Sequence, residues 1–254
     1  MDRVGLLSTS ELARPPRSGF QGEGESGRVA CVWFPSDPIL GAAVAANLAA
    51  VPGVPKAVVD ADAEWADASS LLLDESPPGA GPADDLLGPA AKGPGDVHVV
   101  GCSGIDAATV AALRATGGGV VVMPAQLCVA AAVAECDVVV LGVARSFPSL
   151  RRARLALDAM PAAHGDLVPV LVPGPPSDVT HGDVERVLAL SVTVDLSEGA
   201  KEAAASLERG TLPAALPVGP WSLAIARLAT AIWPGAHFPA PRRERLRPGS
   251  WSKR

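Results

Sequence analysis

Between Val29 and Leu73 the chain sets out a unit that few folds can accommodate. Val29-Ala-Cys-Val-Trp-Phe34 is a continuous apolar run of strand type, Pro35-Ser-Asp-Pro38 is a turn, and the segment containing Ala45-Ala-Asn-Leu-Ala-Ala50 is a helix. A second strand, Lys56-Ala-Val-Val59, ends in Asp60-Ala-Asp62. Strand, turn, helix and strand make a parallel βαβ unit, and a strand without polar alternation belongs to a sheet covered on both faces. Carboxylates at the end of such a strand lie where sheets of this kind place their ligand crevice.

The same alternation recurs downstream. Strands are predicted at 97–102, 119–123, 138–143, 168–172 and 191–194, and helices at 106–115, 125–135, 146–160, 181–190, 198–208 and 221–233. Right-handed crossovers then give a doubly wound α/β domain with a mostly parallel sheet and helices on both faces. A short helix is expected at Ala66 to Leu73, and Asp74 to Gly95, rich in Pro, Gly and Asp, reads as a long surface loop. Three regions follow: a flexible leader at 1–27, the α/β domain at 28–238, and a basic flexible tail at 239–254.

Composition narrows the setting. An apolar content of 48% with 19% charged residues supports a well-buried core rather than a disordered chain. No run of eighteen apolar residues is present and the leader lacks the apolar centre of a signal peptide, so a cytoplasmic protein is expected, with peripheral membrane contact open through the tail. Cys31, Cys102, Cys128 and Cys136 have no C-x-x-C spacing and read as buried free thiols. The net charge of −6 hides an asymmetry, because Arg242, Arg243, Arg245, Arg247, Lys253 and Arg254 face a single Glu244 after Ala240. An acidic body argues against specific nucleic-acid binding, whereas the tail suits an acidic partner or anionic surface. Pro239, Pro241 and Pro248 interrupt any amphipathic helix there.

On Ala45-Ala-Asn-Leu-Ala-Ala50 followed by Val58-Val-Asp-Ala-Asp62, the chain resembles the ParA/MinD family of P-loop ATPases, which position division sites, plasmids, flagella and pili. Ala134-Glu-Cys-Asp-Val-Val-Val-Leu141 is similar to the family's strand after its hydrolysis motif, and 203–210 with 221–231 are similar to its closing helices. The likeness runs from about Arg28 to Trp233, and its style is that of divergent septum-site-determining and Tad-pilus localisation proteins. It implies a P-loop NTPase-like fold, ATP and Mg as ligands, and a dimer formed across the nucleotide face.

The chemistry expected in the first turn is missing. A phosphate loop needs glycine amides around the phosphates, a lysine against their charge and a hydroxyl on magnesium. Aligned on Ala46-Asn-Leu-Ala49, the resemblance puts Gly41 at the lysine, Ala42 and Ala43 at the hydroxyl pair, and Ser36 at the family's second lysine. No Lys or Arg occurs from Val29 to Pro55, while Asp37 brings a negative charge and Pro35 and Pro38 remove amide donors. The same residues serve a structural purpose: Ser36 or Asp37 can cap the helix, and Pro38 suits its first turn. No Asp or Glu lies between Gly118 and Val129, so Met123 stands where a magnesium-holding carboxylate belongs. Asp60 and Asp62 remain as vestiges of the switch, expected to hydrogen-bond at the strand end rather than to catalyse.

Other constellations are weaker. His98, His164, His181 and His237 have no ligand spacing, and no G-x-S-x-G elbow exists, Gly101-Cys-Ser-Gly104 being a loop after a strand. Gly117-Gly-Gly119 precedes a strand and reads as a turn, and Arg151, Arg152 and Arg154 read as a solvated helix face. The expected protein is a non-hydrolysing positioning or scaffold protein, a pseudo-ATPase without a cofactor or metal, working with a protein partner or as a homo- or heterodimer in septum placement or pilus assembly. Two alternatives stay open: an ATPase with phosphate-binding groups supplied by Arg145, Arg151 or a partner, and a DNA-partitioning or regulatory protein acting through its tail.

Overall fold

The computed structural model describes residues 27–61, 73, 78–80, 85–93, 96–126, 130–161, 165–199, 201–202 and 219–236. The expected leader, the helix at 66–73 apart from Leu73, Cys128, His164, most of 198–208 and the basic tail lie outside them.

Eight strands form one sheet in the order β3-β4-β2-β5-β1-β6-β7-β8. These are β1 Val29–Trp33, β2 Ala57–Asp60, β3 Ala91–Gly93, β4 Val97–Gly101, β5 Gly119–Met123, β6 Val138–Ala144, β7 Asp166–Val172 and β8 Val194–Asp195. All neighbours are parallel except β3, which runs antiparallel to β4 at the edge. The doubly wound, mostly parallel α/β fold read from the alternation is therefore the observed one. The region read as a bare loop at 74–95 differs: Lys92 pairs opposite His98, and a strand of three residues gives almost no apolar signal.

The described helices are α1 Pro38–Ala50, α2 Ala107–Ala115, α3 Ala130–Val133, α4 Phe147–Ala159, α5 His181–Leu188 and α6 Pro220–Ile232. Alternate strand residues sort them onto two faces. Ala30, Val32 and Phe34 share one core with α1 and α6, whereas Val29, Cys31 and Trp33 share the other with α2, α4 and α5. Both faces of β1 are buried along its whole length, which is why its sequence shows no period of two.

Local chemistry sets the helix ends. Asp106, Ser146 and Thr180 cap α2, α4 and α5, and Thr180 with Asp183 completes a reciprocal capping box. The helix expected to reach Leu190 stops at Leu188, because Ala189 takes a left-handed conformation at φ 55°. Gly219 has no side chain to cap α6, so the Glu202 carboxylate accepts from the Trp221 amide at 3.0 Å instead. The helix read from Glu198 begins as a 3₁₀ turn at Ser197–Gly199. Gly117 and Gly118 form the turn expected of them, with φ of 103° and 92°. At the amino edge of the sheet, Asp137 accepts from the Val29 amide at 2.8 Å and pairs with Arg114 at 2.8 Å.

Candidate functional site

The chain leaves β1 in one direction, toward β2, and later crosses to β6 on the other side, so the carboxyl end of β1 is the point where the winding reverses. Doubly wound sheets bind ligands in the crevice at this place. The turn from Phe34 to Gly41 occupies it.

Within the turn the amides are used by the chain itself. Asp37 N donates to Phe34 O at 3.1 Å, Leu40 N donates to Asp37 Oδ1 at 3.0 Å, and Gly41 N donates to Asp37 O at 3.1 Å. Asp37 is thus the cap of α1, Pro38 holds its first turn, and Ser36 stands exposed without the capping role offered to it. A carboxylate belonging to the chain takes the position at the helix N-terminus that favours an anion. Ala42 and Ala43 are buried in the apolar core. They carry no hydroxyl with which to reach a metal.

The space beneath the turn is filled as well. Phe34 is buried, and its ring lies between α1 and β6: a Cβ on Gly41 would stand 3.1 Å from Phe34 Cβ, and a Cβ on Gly142 would stand 2.3 Å from Phe34 Cγ. Gly142 is therefore required by the close approach of the ring. On the opposite face, Trp33 is fully buried and its indole Nε1 donates to the Pro124 carbonyl at 3.1 Å, joining the ends of β1 and β5. Met123, at the end of β5, is buried beside it in the same core. The position read from sequence as that of a lost metal ligand is closed by apolar side chains.

Asp60 is buried at the end of β2, where its backbone carbonyl accepts from Cys102 N at 2.8 Å. Asp62 lies outside the described residues. Burial pushes the Cys102 thiol up, the carboxylates of Asp60 and Asp106 push it further, and Sγ donates a hydrogen bond to Gly104 O at 2.9 Å. Such a thiol is protonated and a poor nucleophile at neutral pH. Cys31 and Cys136 are buried free thiols, and burial holds the Cys31 thiol well above its ordinary value. Among the described residues no cluster of three His, Cys, Asp or Glu side chains could hold a metal ion.

Arg151 and Arg152 are exposed on α4, and one of them makes a contact that its pattern does not announce. Arg152, read as part of a solvated face, extends from α4 and donates from Nη1 to Pro35 O at 3.1 Å. This bond ties the side chain to the turn, although Arg152, like Arg151, is exposed on α4. Arg145 lines a cavity of about 540 Å³ at the ends of β6, β7 and β8, together with Val172, Gly174, Ser197 and Glu198. Sequence offered no signal for the Arg152 contact, because it spans 117 residues.

No protein-family model matches the sequence, and no curated protein matches it. Solved structures do. A ParA family ATPase from Chlorobium tepidum TLS matches with a TM-score of 0.62 at 16% identity, covering 81% of this chain and 98% of that one. The MinD cell division protein of Aquifex aeolicus matches with a TM-score of 0.64 at 17% identity, covering 84% of this chain and 99% of that one. A chain of the MinC:MinD cell division protein complex of the same organism gives 0.63 at 16%, covering 85% of this chain and 98% of that one. At these identities the likeness is one of fold, and the fold is that of the ParA/MinD P-loop ATPases.

Proposed function

We propose that the chain is a nucleotide-independent protein of ParA/MinD type, a positioning or scaffold protein that works by binding partners rather than by hydrolysing ATP. The observation that carries this reading is the self-satisfied turn: Asp37 occupies the anion position of α1, and the Phe34 ring fills the volume below. No cation on β1 or α1 replaces the missing lysine. Without it, and without a strand-end carboxylate at Met123, phosphoryl transfer has nothing to stabilise its charge.

A solved relative in fold is a MinC:MinD complex, which supports assembly with a protein partner, in cell division or in an analogous placement task such as pilus assembly. A dimer across the carboxyl edge of the sheet fits the same reading. Among the described residues no helix is long and apolar enough to cross a membrane. Calorimetry of the full chain with magnesium-ATP and magnesium-ADP tests the proposal: binding tighter than about 100 µM, about 5.5 kcal/mol, sinks it.

The ATPase alternative draws its support from Arg152, the one guanidinium that the described residues bring to the turn, rather than from Arg145 or Arg151. Its bond to Pro35 O would have to be exchanged for phosphate. In that case nucleotide affinity is lost in Arg152→Ala.

A further inference from the structure

The outer side of α4 carries groups that the fold does not use. Phe147 opens the helix with 74% of its surface exposed, and Leu155, two turns further on, is 45% exposed. Arg151 stands between them, four residues from each, and is itself exposed, as is Arg145 just before the helix. Among the described residues neither Arg145 nor Arg151 makes an ion pair, whereas Arg154 on the adjoining side is paired with Asp158 at 2.7 Å. On a chain with a net charge of −6, two unpaired arginines stand beside exposed apolar side chains here, and the one carboxylate on this side of α4, Asp158, is neutralised by Arg154.

The geometry points to a docking surface for an acidic amphipathic segment of a partner protein, whose apolar side chains meet Phe147 and Leu155 and whose carboxylates meet Arg151 and Arg145. The inference rests on the partner-binding reading above and names the partner's chemistry. Charge complementarity selects the occupant: two arginines without intramolecular partners flank an exposed ring, an arrangement typical of interface anchors. A lipid surface fits less well. The continuous apolar face of α4, with Leu150, Ala153 and Ala156, is already buried on the sheet, and a helix lying in a membrane needs that face free.

The test is a calorimetric titration of the full chain at low salt with a synthetic peptide of about five helical turns, carrying Leu and Phe on one stripe flanked by Glu. A control of the same composition has the stripe and the charges shuffled out of register. The patterned peptide binds and the control does not. Phe147→Ala and Arg151→Glu each weaken binding about tenfold, whereas Arg154→Glu leaves it within about threefold. Both weakening variants unfold at the parental temperature, since the altered groups are exposed. The proposal is overturned by failure of the patterned peptide to bind or by equal binding of the control. Indifference to both variants also overturns it. So does self-association that the variants abolish, which would make the occupant a second copy, or variant-sensitive uptake onto phosphatidylserine vesicles without peptide binding. Tight magnesium-ATP binding would defeat the nucleotide-independent reading alone, because the peptide titration contains no nucleotide.

Discussion

The packing of Phe34 against Gly142 makes a quantitative prediction about how the volume beneath the β1–α1 turn is filled. Gly142→Ala introduces a methyl 2.3 Å from Phe34 Cγ, more than 1 Å inside ordinary contact, in a strand flanked on both sides. Overpacking of this kind costs about 1–3 kcal/mol, and the gain from replacing a strand glycine offsets about 0.5–1 kcal/mol of it. Phe34→Ala empties a buried aromatic site and costs about 3–5 kcal/mol, which a domain of ordinary stability survives. Together the two changes relieve each other, because the new methyl enters the space the ring has left. The double variant is therefore more stable than the sum of the single effects by about 1–3 kcal/mol. Urea denaturation followed by circular dichroism measures all four corners of the cycle. Additivity within about 0.5 kcal/mol refutes the placement of the ring, and with it the claim that the turn rests on a phenyl group.

Removing the cap of α1 with Asp37→Ala frees the Leu40 amide and lowers stability by about 1 kcal/mol in the same assay. Arg152→Ala raises amide hydrogen exchange at 36–41 by releasing the Pro35 carbonyl, while β1 keeps its protection. Asp106 and Asp183 are held below the ordinary carboxylate value, chiefly by the Thr109 amide and the Thr180 hydroxyl respectively. Because their folded values are depressed, their stabilisation is present above the unfolded carboxylate value and is lost as pH falls through the folded one. Acid titration of Asp106→Asn consequently shows a shallower loss of stability below about pH 4 than the parent.

Much of the fold is legible because its signals are local. Val138–Ala144 and Asp166–Val172 are apolar runs in a sheet buried on both faces, and Asp106, Ser146 and Thr180 announce their helices by capping chemistry. What escapes the sequence is either short or distant. Ala91–Gly93 joins the sheet by backbone pairing with no side-chain period behind it. Likewise, Arg152 belongs to a charged helix by pattern and to the β1–α1 turn only by tertiary placement. From sequence the β1–α1 turn reads as a set of missing groups, at Gly41, Ala42, Ala43 and Met123. Its filling is not legible there, because nothing in Phe34 or Gly142 alone says that one covers the other.

A phosphate loop stripped of its ligand leaves helix amides pointing at an unneutralised crevice, a cost that nucleotide normally removes. Here Asp37 caps α1 from within the chain and Phe34 fills the volume below, the two features on which the proposed nucleotide-independent function rests. A ligand that finds its site already satisfied has no differential affinity for one state over another, and such a ligand shifts no equilibrium. On this reading the turn works as a fixed abutment, and any control over the protein enters where unpaired groups remain. Those groups are Arg145, just before α4, and Arg151, the neighbour in sequence of the Arg152 that donates to Pro35 O.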